Sequence, residues 1–201
     1  MGTARDLMIV AMDAATSREV TQGDLSLGLA GGEVIDLLGA EAVTLDGDRI
    51  LPRPAPPLDD PLLEQAATAL VRDKPYEPIE DWLWRRGRGL AQEYSTVLEE
   101  EGVVSRPRAS WIPFRRSTGP APAESPARQR ARHRHTTDEP VLAALAAAVG
   151  VRDEVPEDLP VPDDASQAVL AAVVDAVTEL GAVRHRRAIE DEAFANVWRA
   201  P

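Results

Sequence analysis

The side chains in this chain that could do acid–base, metal or phosphate chemistry are three histidines and several clusters of arginine. His133, His135 and His185 lie among arginines, whose positive charge opposes the binding of a metal cation. His133 and His135 are two residues apart and would point to different sides of a helix. The chain contains no cysteine, which excludes thiolate ligands and disulfides. We therefore expect no metal site.

Catalytic motifs are also missing from the sequence. It has no GxSxG nucleophile elbow, no HExxH pair and no Walker lysine. The acid pairs Asp59-Asp60 and Asp163-Asp164 stand where helices are expected to start, so they are interpreted as caps. We expect a protein without enzymatic activity and without a cofactor.

Charge is distributed unevenly along the chain, which has a net charge of −12. Residues 105–135 contain eight arginines and one acid, for a net charge of +7, so the remainder carries −19. Arg85, Arg86 and Arg88 form a second basic cluster just upstream. Two interpretations stay open: one strongly positive face on an acidic protein, or a solvated arginine-rich loop.

The stretch from Gly28 to Leu51 organises the predicted fold. Its apolar spacing predicts a helix from about Asp24, ending at Gly39 as a left-handed cap, followed by a β-hairpin that turns at Asp46-Gly47. Three glycines in the helix resemble a phosphate loop, but they lie in a helix rather than after a strand. Close helix packing is the better interpretation of these glycines, Gly28, Gly31 and Gly32.

A second helix-and-hairpin unit follows. The pattern predicts one helix from about Ile79 to Glu101, weakened or kinked at Gly87 and Gly89, and then a hairpin that reaches Phe114. Basic residues and aromatics alternate in that hairpin. The arginine-rich segment 105–135 thus holds a hairpin and a loop.

The remaining elements are mostly helical. The run from Leu7 to Met12 is too short to distinguish helix from strand. Helices are predicted to begin at Pro61 and Pro126, and Thr137 caps another that ends at Gly150. Two further helices are predicted at 165–180, with Val169, Leu170, Val173, Val174 and Val177 facing inward, and at about 186–198. The fold class is mainly α: a single compact helical domain, 1–201, with two small β-hairpins.

The motifs together resemble the Golgi phosphoprotein 3 family. The segments that carry the resemblance occur in family order: GLAGGEVIDLLGAEAVTLDGDRIL, DPLLEQA, RGLAQEYSTVLEEEGVV, the Arg115-Arg116 turn and DEPVLAALAAAVGV. The resemblance implies a central helix bundle ringed by amphipathic helices. It also implies peripheral membrane binding, in eukaryotes through phosphatidylinositol 4-phosphate. The composition, rich in arginine and alanine, is typical of a bacterial member.

The family's head-group site is kept only in part. The resemblance implies four head-group ligands: an aromatic residue at a position near Thr21, an arginine at the position of Ala30, and two arginines at the positions of Arg88 and Ala91. Only Arg88 is retained in this chain. Arg85 lies one helical turn before Arg88 and is the candidate replacement for the lost partner. The head-group binding residues are therefore predicted to be Arg88 and Arg85.

The second hairpin is the predicted membrane-interface element. In the family this hairpin has an apolar tip that touches the bilayer or a neighbouring subunit, so a homo-oligomer stays open. Apolar and basic side chains alternate here as at a membrane interface: Trp111, Ile112, Phe114, Arg115 and Arg116. The alternative is a hairpin half-buried against its own domain.

The predicted function is peripheral binding of an anionic phospholipid or phosphoinositide by a cytoplasmic protein on the inner face of the membrane. This location is expected because no signal-peptide core is present, and the longest apolar run, 141–151, is about half of the ~20 residues needed to span a bilayer. A soluble adaptor that recruits a protein partner is the alternative. A winged-helix DNA binder is disfavoured by the acids of the first helix-and-hairpin unit, so no nucleic acid partner is expected.

Overall fold

The computed structural model describes residues 2–14, 20–104, 125–154, 156 and 158–197, with side chains up to residue 191. Within this part the chain forms eight helices and one two-stranded sheet. The elements are α1 Thr3–Asp13, α2 Gln22–Gly39, β1 Val43–Asp46, β2 Arg49–Pro52, α3 Pro61–Ala69, α4 Ile79–Arg86, α5 Leu90–Glu100, α6 Pro126–Thr136, α7 Pro140–Ala148 and α8 Asp164–Val197. The mainly α prediction is confirmed, and Leu7 to Met12 is helical.

Helix α2 is the centre of the fold. It is buried along most of its length, and α1, α3, α4, α5, α7 and α8 all contact it. Its glycines allow this close approach: a Cβ at Gly31 would lie 2.3 Å from Val173 Cγ2, and one at Gly32 would lie 3.0 Å from Ala4 Cα. A Cβ at Gly28 would lie 2.4 Å from Val149 Cγ1. These three glycines therefore serve helix packing, as the sequence predicted.

The first hairpin follows α2 as predicted. The left-handed residue after the helix and the two residues of the hairpin turn differ from the predicted ones. Glu41, with φ 55°, takes the left-handed conformation that was expected at Gly39. β1 and β2 pair antiparallel with Leu45 opposite Ile50 and Asp46 opposite Arg49, so the two-residue turn is Gly47-Asp48 rather than Asp46-Gly47. Gly47 adopts φ 61°, which suits this tight turn.

The predicted long helix from Ile79 to Glu101 is wrong, because the chain forms two helices there. α4 ends at Arg86, Gly89 takes a left-handed conformation with φ 73°, and α5 begins at Leu90. Left-handed backbone is cheap only for glycine and cannot continue a helix. The predicted hairpin after Gly102 falls mainly in residues 105–124, outside the described residues.

Ion pairs dock the basic helix α6 against α1. Arg128 and Arg132 both pair with the Asp13 carboxylate, and Arg134 pairs with Asp6 at 2.6 Å. The second half of the arginine-rich segment is therefore a packed helix rather than a solvated loop. α7 follows, and its N-terminus is capped by the Glu139 carboxylate instead of the predicted Thr137.

α8 is one continuous helix of 34 residues where two helices were predicted. Val169 and Val173 are buried as expected, whereas Val174 is 49% exposed, so its predicted inward orientation is wrong. By length and composition alone, the part from Asp164 to Asp191 could cross a membrane. One side packs against α2, α4 and α7, and 22% of the most apolar 18-residue window is buried.

Candidate functional site

A surface cleft of about 310 Å³ lies where the start of α2, the turn between α4 and α5, and α8 meet. Arg88 stands in the turn, and Trp84 supplies an aromatic wall. The lining residues include no aspartate or glutamate: Gln22, Gly23, Ser26, Leu27, Trp84, Gly87, Arg88, Gly89, Ala91, Gln92 and Leu180. The cleft is therefore locally cationic on an otherwise acidic protein.

Arg88 is exposed and has no hydrogen-bond or ion-pair partner within the described part of the chain. The neighbouring Arg86 donates two hydrogen bonds to the Glu33 carboxylate, and Arg85 donates two to the Glu77 carboxylate. A free guanidinium in a cleft without carboxylates can present its donors to an oxyanion. This makes Arg88 the candidate anion-binding residue.

Arg85 occupies a different environment. Its guanidinium bonds the Glu77 carboxylate at 2.6 and 2.7 Å and the Ala69 carbonyl at 3.1 Å, and it lies 5.2 Å from the Trp82 ring centroid. The hydrogen bonds that its guanidinium donates to the Glu77 carboxylate raise the pKa of Arg85. Arg85 is absent from the lining of the cleft. The premise that it shares a helix face with Arg88 is wrong, because α4 ends between them.

Buried polar contacts hold the turn in place. Arg86, the last residue of α4, bonds the Glu33 carboxylate of α2 at 2.8 and 2.9 Å, and the Tyr94 hydroxyl donates to the same carboxylate at 3.2 Å. Burial raises the pKa of Glu33 to about 7 although Arg86 opposes the shift. The two helices that flank Arg88 are thus anchored to the central helix through one carboxylate.

Ser26 makes a second link between α2 and the turn. The Ala91 amide donates to the Ser26 hydroxyl at 3.1 Å, which satisfies one of the free N–H groups at the start of α5. Gly87 is packed closely as well, since a Cβ there would lie 2.5 Å from the Leu83 carbonyl oxygen. Ser26 and Gly87 therefore hold the turn close to α2.

α8 closes one side of the cleft. A Cβ at Gly23 would lie 2.8 Å from Leu180 Cδ2, so this glycine permits the contact between α2 and α8. Arg184 bonds the two Asp24 carboxylate oxygens at 2.7 and 2.8 Å and also donates to the Thr21 hydroxyl. Thr21, the position that the family resemblance gives to an aromatic, caps α2 and receives this arginine.

The other two carried-over positions contribute no head-group ligand. Ala30 is fully buried, and its carbonyl oxygen accepts a hydrogen bond of 3.1 Å from the Trp82 indole. Ala91 lines the cleft with a methyl group only. Trp84 was not predicted as a site residue, and its spacing from Arg88 carries no helical signal because α4 ends at Arg86. The predicted hairpin residues Trp111, Ile112, Phe114, Arg115 and Arg116 lie outside the described residues.

A second cleft, of about 380 Å³, has the opposite character. It lies between the β1–β2 turn, the start of α4 and α8, and four carboxylates line it: Asp48, Glu80, Asp175 and Glu179. Such a lining repels an anionic head group. The Arg88 cleft is therefore the better anion site of the two.

The fold and the cleft define an all-α domain with a cationic surface site. The model of the Golgi phosphoprotein 3 (GPP34) family matches residues 4–192, nearly the whole chain, and the chain belongs to this family. Family membership indicates a binder of lipid or protein in general and an association with the membrane surface. Neither the curated proteins nor the solved structures compared with the chain gave a match.

Proposed function

We propose that the chain is a non-enzymatic peripheral membrane protein that binds the phosphate-bearing head group of an anionic phospholipid in the Arg88 cleft. The observation that carries the proposal is the unpaired Arg88 guanidinium in a cleft whose lining holds no carboxylate. In a chain of net charge −12, such a site is not expected from composition alone.

The rest of the cleft suits a phosphorylated head group. The N-terminus of α5 opens at Gly89, where the helix dipole favours negative charge. Gln22 and Gln92 line the cleft and can donate amide hydrogen bonds to phosphate or hydroxyl oxygens. Trp84 offers an apolar surface to a sugar ring. A phosphoinositide, which combines an exposed phosphate with a hydroxylated ring, fits this set of groups best.

One free arginine supports weak binding. A basic residue near an anionic surface contributes about 1 kcal/mol, and salt screens this attraction over roughly a Debye length. Arg85 could add to it only after leaving Glu77. Membrane attachment then depends on further contacts, for which the hairpin residues Trp111 and Phe114 are the proposed source. The proposed location is the cytoplasmic face of the membrane.

The first helix-and-hairpin unit does not support the DNA-binding alternative. A winged-helix protein must present an exposed reading helix beside its hairpin. Here α2, the helix before the hairpin, is buried on nearly every side. The adaptor alternative remains a prediction, compatible with lipid binding.

Vesicle cosedimentation tests the proposal. Phosphatidylcholine vesicles are compared with vesicles that also contain phosphatidylserine or phosphatidylinositol 4-phosphate, using the parent chain, Arg88→Ala and Arg53→Ala. Arg53 is a matched control, because it is exposed, lies outside the cleft and has a side chain without a partner among the described residues. Arg88→Ala should lose most of the binding to anionic vesicles, and Arg53→Ala little. Equal losses in both variants would show that net charge alone acts and would contradict a head-group site.

A further inference from the structure

The outer half of α8 is a helix surface without a partner in the described structure. Val169, Val173 and Ala176 of this helix are buried against the body, but every residue from 185 to 191 is exposed. At 1.5 Å per residue, the 34 residues extend for about 50 Å. Of the most apolar 18-residue window, only 22% is buried.

An outward stripe runs along this helix. Val174 and Ile189 are two of the large hydrophobic residues that the described structure leaves exposed, at 49% and 54%. Exposed residues at spacings of three or four continue between them and place the whole set on one face: Ala171, Val174, Thr178, Ala182, His185 and Ile189. The residues at the middle of the stripe, Gly181 and Ala182, are small, so a second helix can approach closely there.

Charges of both signs lie beside the stripe. Asp175 and Glu179 lie in the first half of the exposed stretch, and the second half holds Arg186 and Arg187, followed by the exposed acids Glu190 and Asp191. A parallel copy would set like charges side by side. An antiparallel copy instead places Arg186 of the partner subunit between Asp175 and Glu179.

We propose that two copies of the chain pair through α8 in antiparallel orientation, about a twofold axis between Gly181 and Ala182. In this register Val174 faces Ile189 of the partner subunit, and Thr178 faces the partner's His185. Asp175 approaches Arg186 of the partner subunit, and symmetry repeats each contact. The proposal goes beyond head-group binding and does not depend on the Arg88 cleft.

A bilayer fits the same face less well. The stripe is flanked by Asp175 and Glu179 near its centre, and an anionic membrane repels carboxylates. A self-complementary surface needs both signs of charge, which this face has. A second copy therefore satisfies the apolar stripe and its charges together.

Disulfide trapping tests the register, because the chain has no cysteine of its own. Ala182→Cys and Ala171→Cys each place one thiol on the exposed stripe. In the antiparallel register, Cys at position 182 lies close to its symmetry mate, whereas position 171 lies about 30 Å along the axis from its own. Ala182→Cys should form a disulfide-linked dimer under mild oxidation, and Ala171→Cys should not. Linking of both variants, or of neither, would overturn the proposal.

Sedimentation equilibrium of the whole chain tests the contacts themselves. Ile189→Asp should raise the dimer dissociation constant about tenfold or more, and Val161→Asp, at a 77% exposed valine outside the helix, should not. Asp175→Arg and Arg186→Asp should each weaken the dimer, and the double variant should recover it. A monomeric parent at about 100 µM, a concentration that populates even weak dimers, would overturn the proposal. So would an Ile189→Asp variant that still dimerises but loses vesicle binding.

Discussion

Arg86 at the end of α4 bonds both carboxylate oxygens of Glu33 in the central helix, at 2.8 and 2.9 Å. The Glu33 side chain is fully buried, and that of Arg86 is 13% exposed. Gly87 and Arg88 follow directly, so this pair fixes the point at which the chain leaves α4 and enters the turn. The position of the unpaired Arg88 therefore depends on the ion pair between Arg86 and Glu33.

Removal of Arg86 should therefore destabilise the fold strongly. Arg86→Ala leaves the buried Glu33 carboxyl without its charged partner, and we expect the free energy of unfolding to fall by about 3 kcal/mol. Urea denaturation of purified variants measures this change. Arg85→Ala is the comparison, because the Arg85 side chain is 43% exposed, against 13% for Arg86, although its partner Glu77 is 9% exposed; its loss should be smaller than that of Arg86→Ala. Equal losses in the two variants would contradict the assigned difference in burial.

Stability should depend on pH through Glu33. Burial raises its pKa from 4.5 to about 7, so the folded state binds a proton that the unfolded state has lost between these values. The stability from protonated Glu33 is then complete below about 4.5 and is lost as the pH rises through 7.

The matched variant Glu33→Gln does not titrate and isolates this contribution from that of other carboxyl groups. The free energy of unfolding of Glu33→Gln minus that of the parent should increase by about 2 kcal/mol between pH 5 and pH 8, because the parent loses stability over this range. A difference that stays constant or decreases would show that Arg86 outweighs burial at this site.

Close packing of the central helix predicts contrasting effects for two glycine substitutions. Gly32→Ala would bring a Cβ to within 3.0 Å of the Ala4 backbone, which cannot move freely, and should cost about 1–3 kcal/mol. Gly39→Ala has no atom within 4 Å of the new Cβ and should be neutral or slightly stabilising. Thermal melts measure both, and a neutral Gly32→Ala would mean that α1 lies further from α2 than the structure places it.

Local patterns predicted the helices whose boundaries carry clear signals. Asp60 caps α3 and Pro126 starts α6 as predicted, because capping depends only on neighbouring residues, whereas α2 is capped by Thr21, a little before its predicted start near Asp24. Glycine inside a helical pattern is ambiguous: Gly181 lies within the continuous α8, whereas the chain breaks at Gly89. Tertiary packing decides between these outcomes, and a single sequence does not show it.

Of the candidate site, only Arg88, the residue retained from the family pattern, could be predicted from the sequence. Arg88 follows from the family pattern, but the ion pair that occupies Arg85 comes from Glu77, eight residues earlier, across a loop. The contact of Arg184 with Asp24 joins residues 160 apart. Long-range pairing of this kind leaves no local signal, so the charge of a segment did not reveal which arginines are free.

The hairpin residues are predicted to act through apolar burial rather than charge. Trp111→Ser together with Phe114→Ser should weaken vesicle binding at every salt concentration, whereas the binding of the parent should fall steeply as salt rises. Vesicle flotation over a salt series measures both effects, with thermal melts to detect unfolding. A folded double variant that binds like the parent would remove the hairpin from the membrane site.

The most direct test of the central claim is an NMR titration with the soluble head group of phosphatidylinositol 4-phosphate. We expect amide shifts concentrated at residues 87–89, together with the Trp84 indole and the Gln92 side-chain amide, which all line the cleft. Arg88→Ala should abolish these shifts and Arg53→Ala should keep them. Shifts located elsewhere, or an Arg88→Ala variant that titrates like the parent, would contradict the assignment of this cleft as the head-group site.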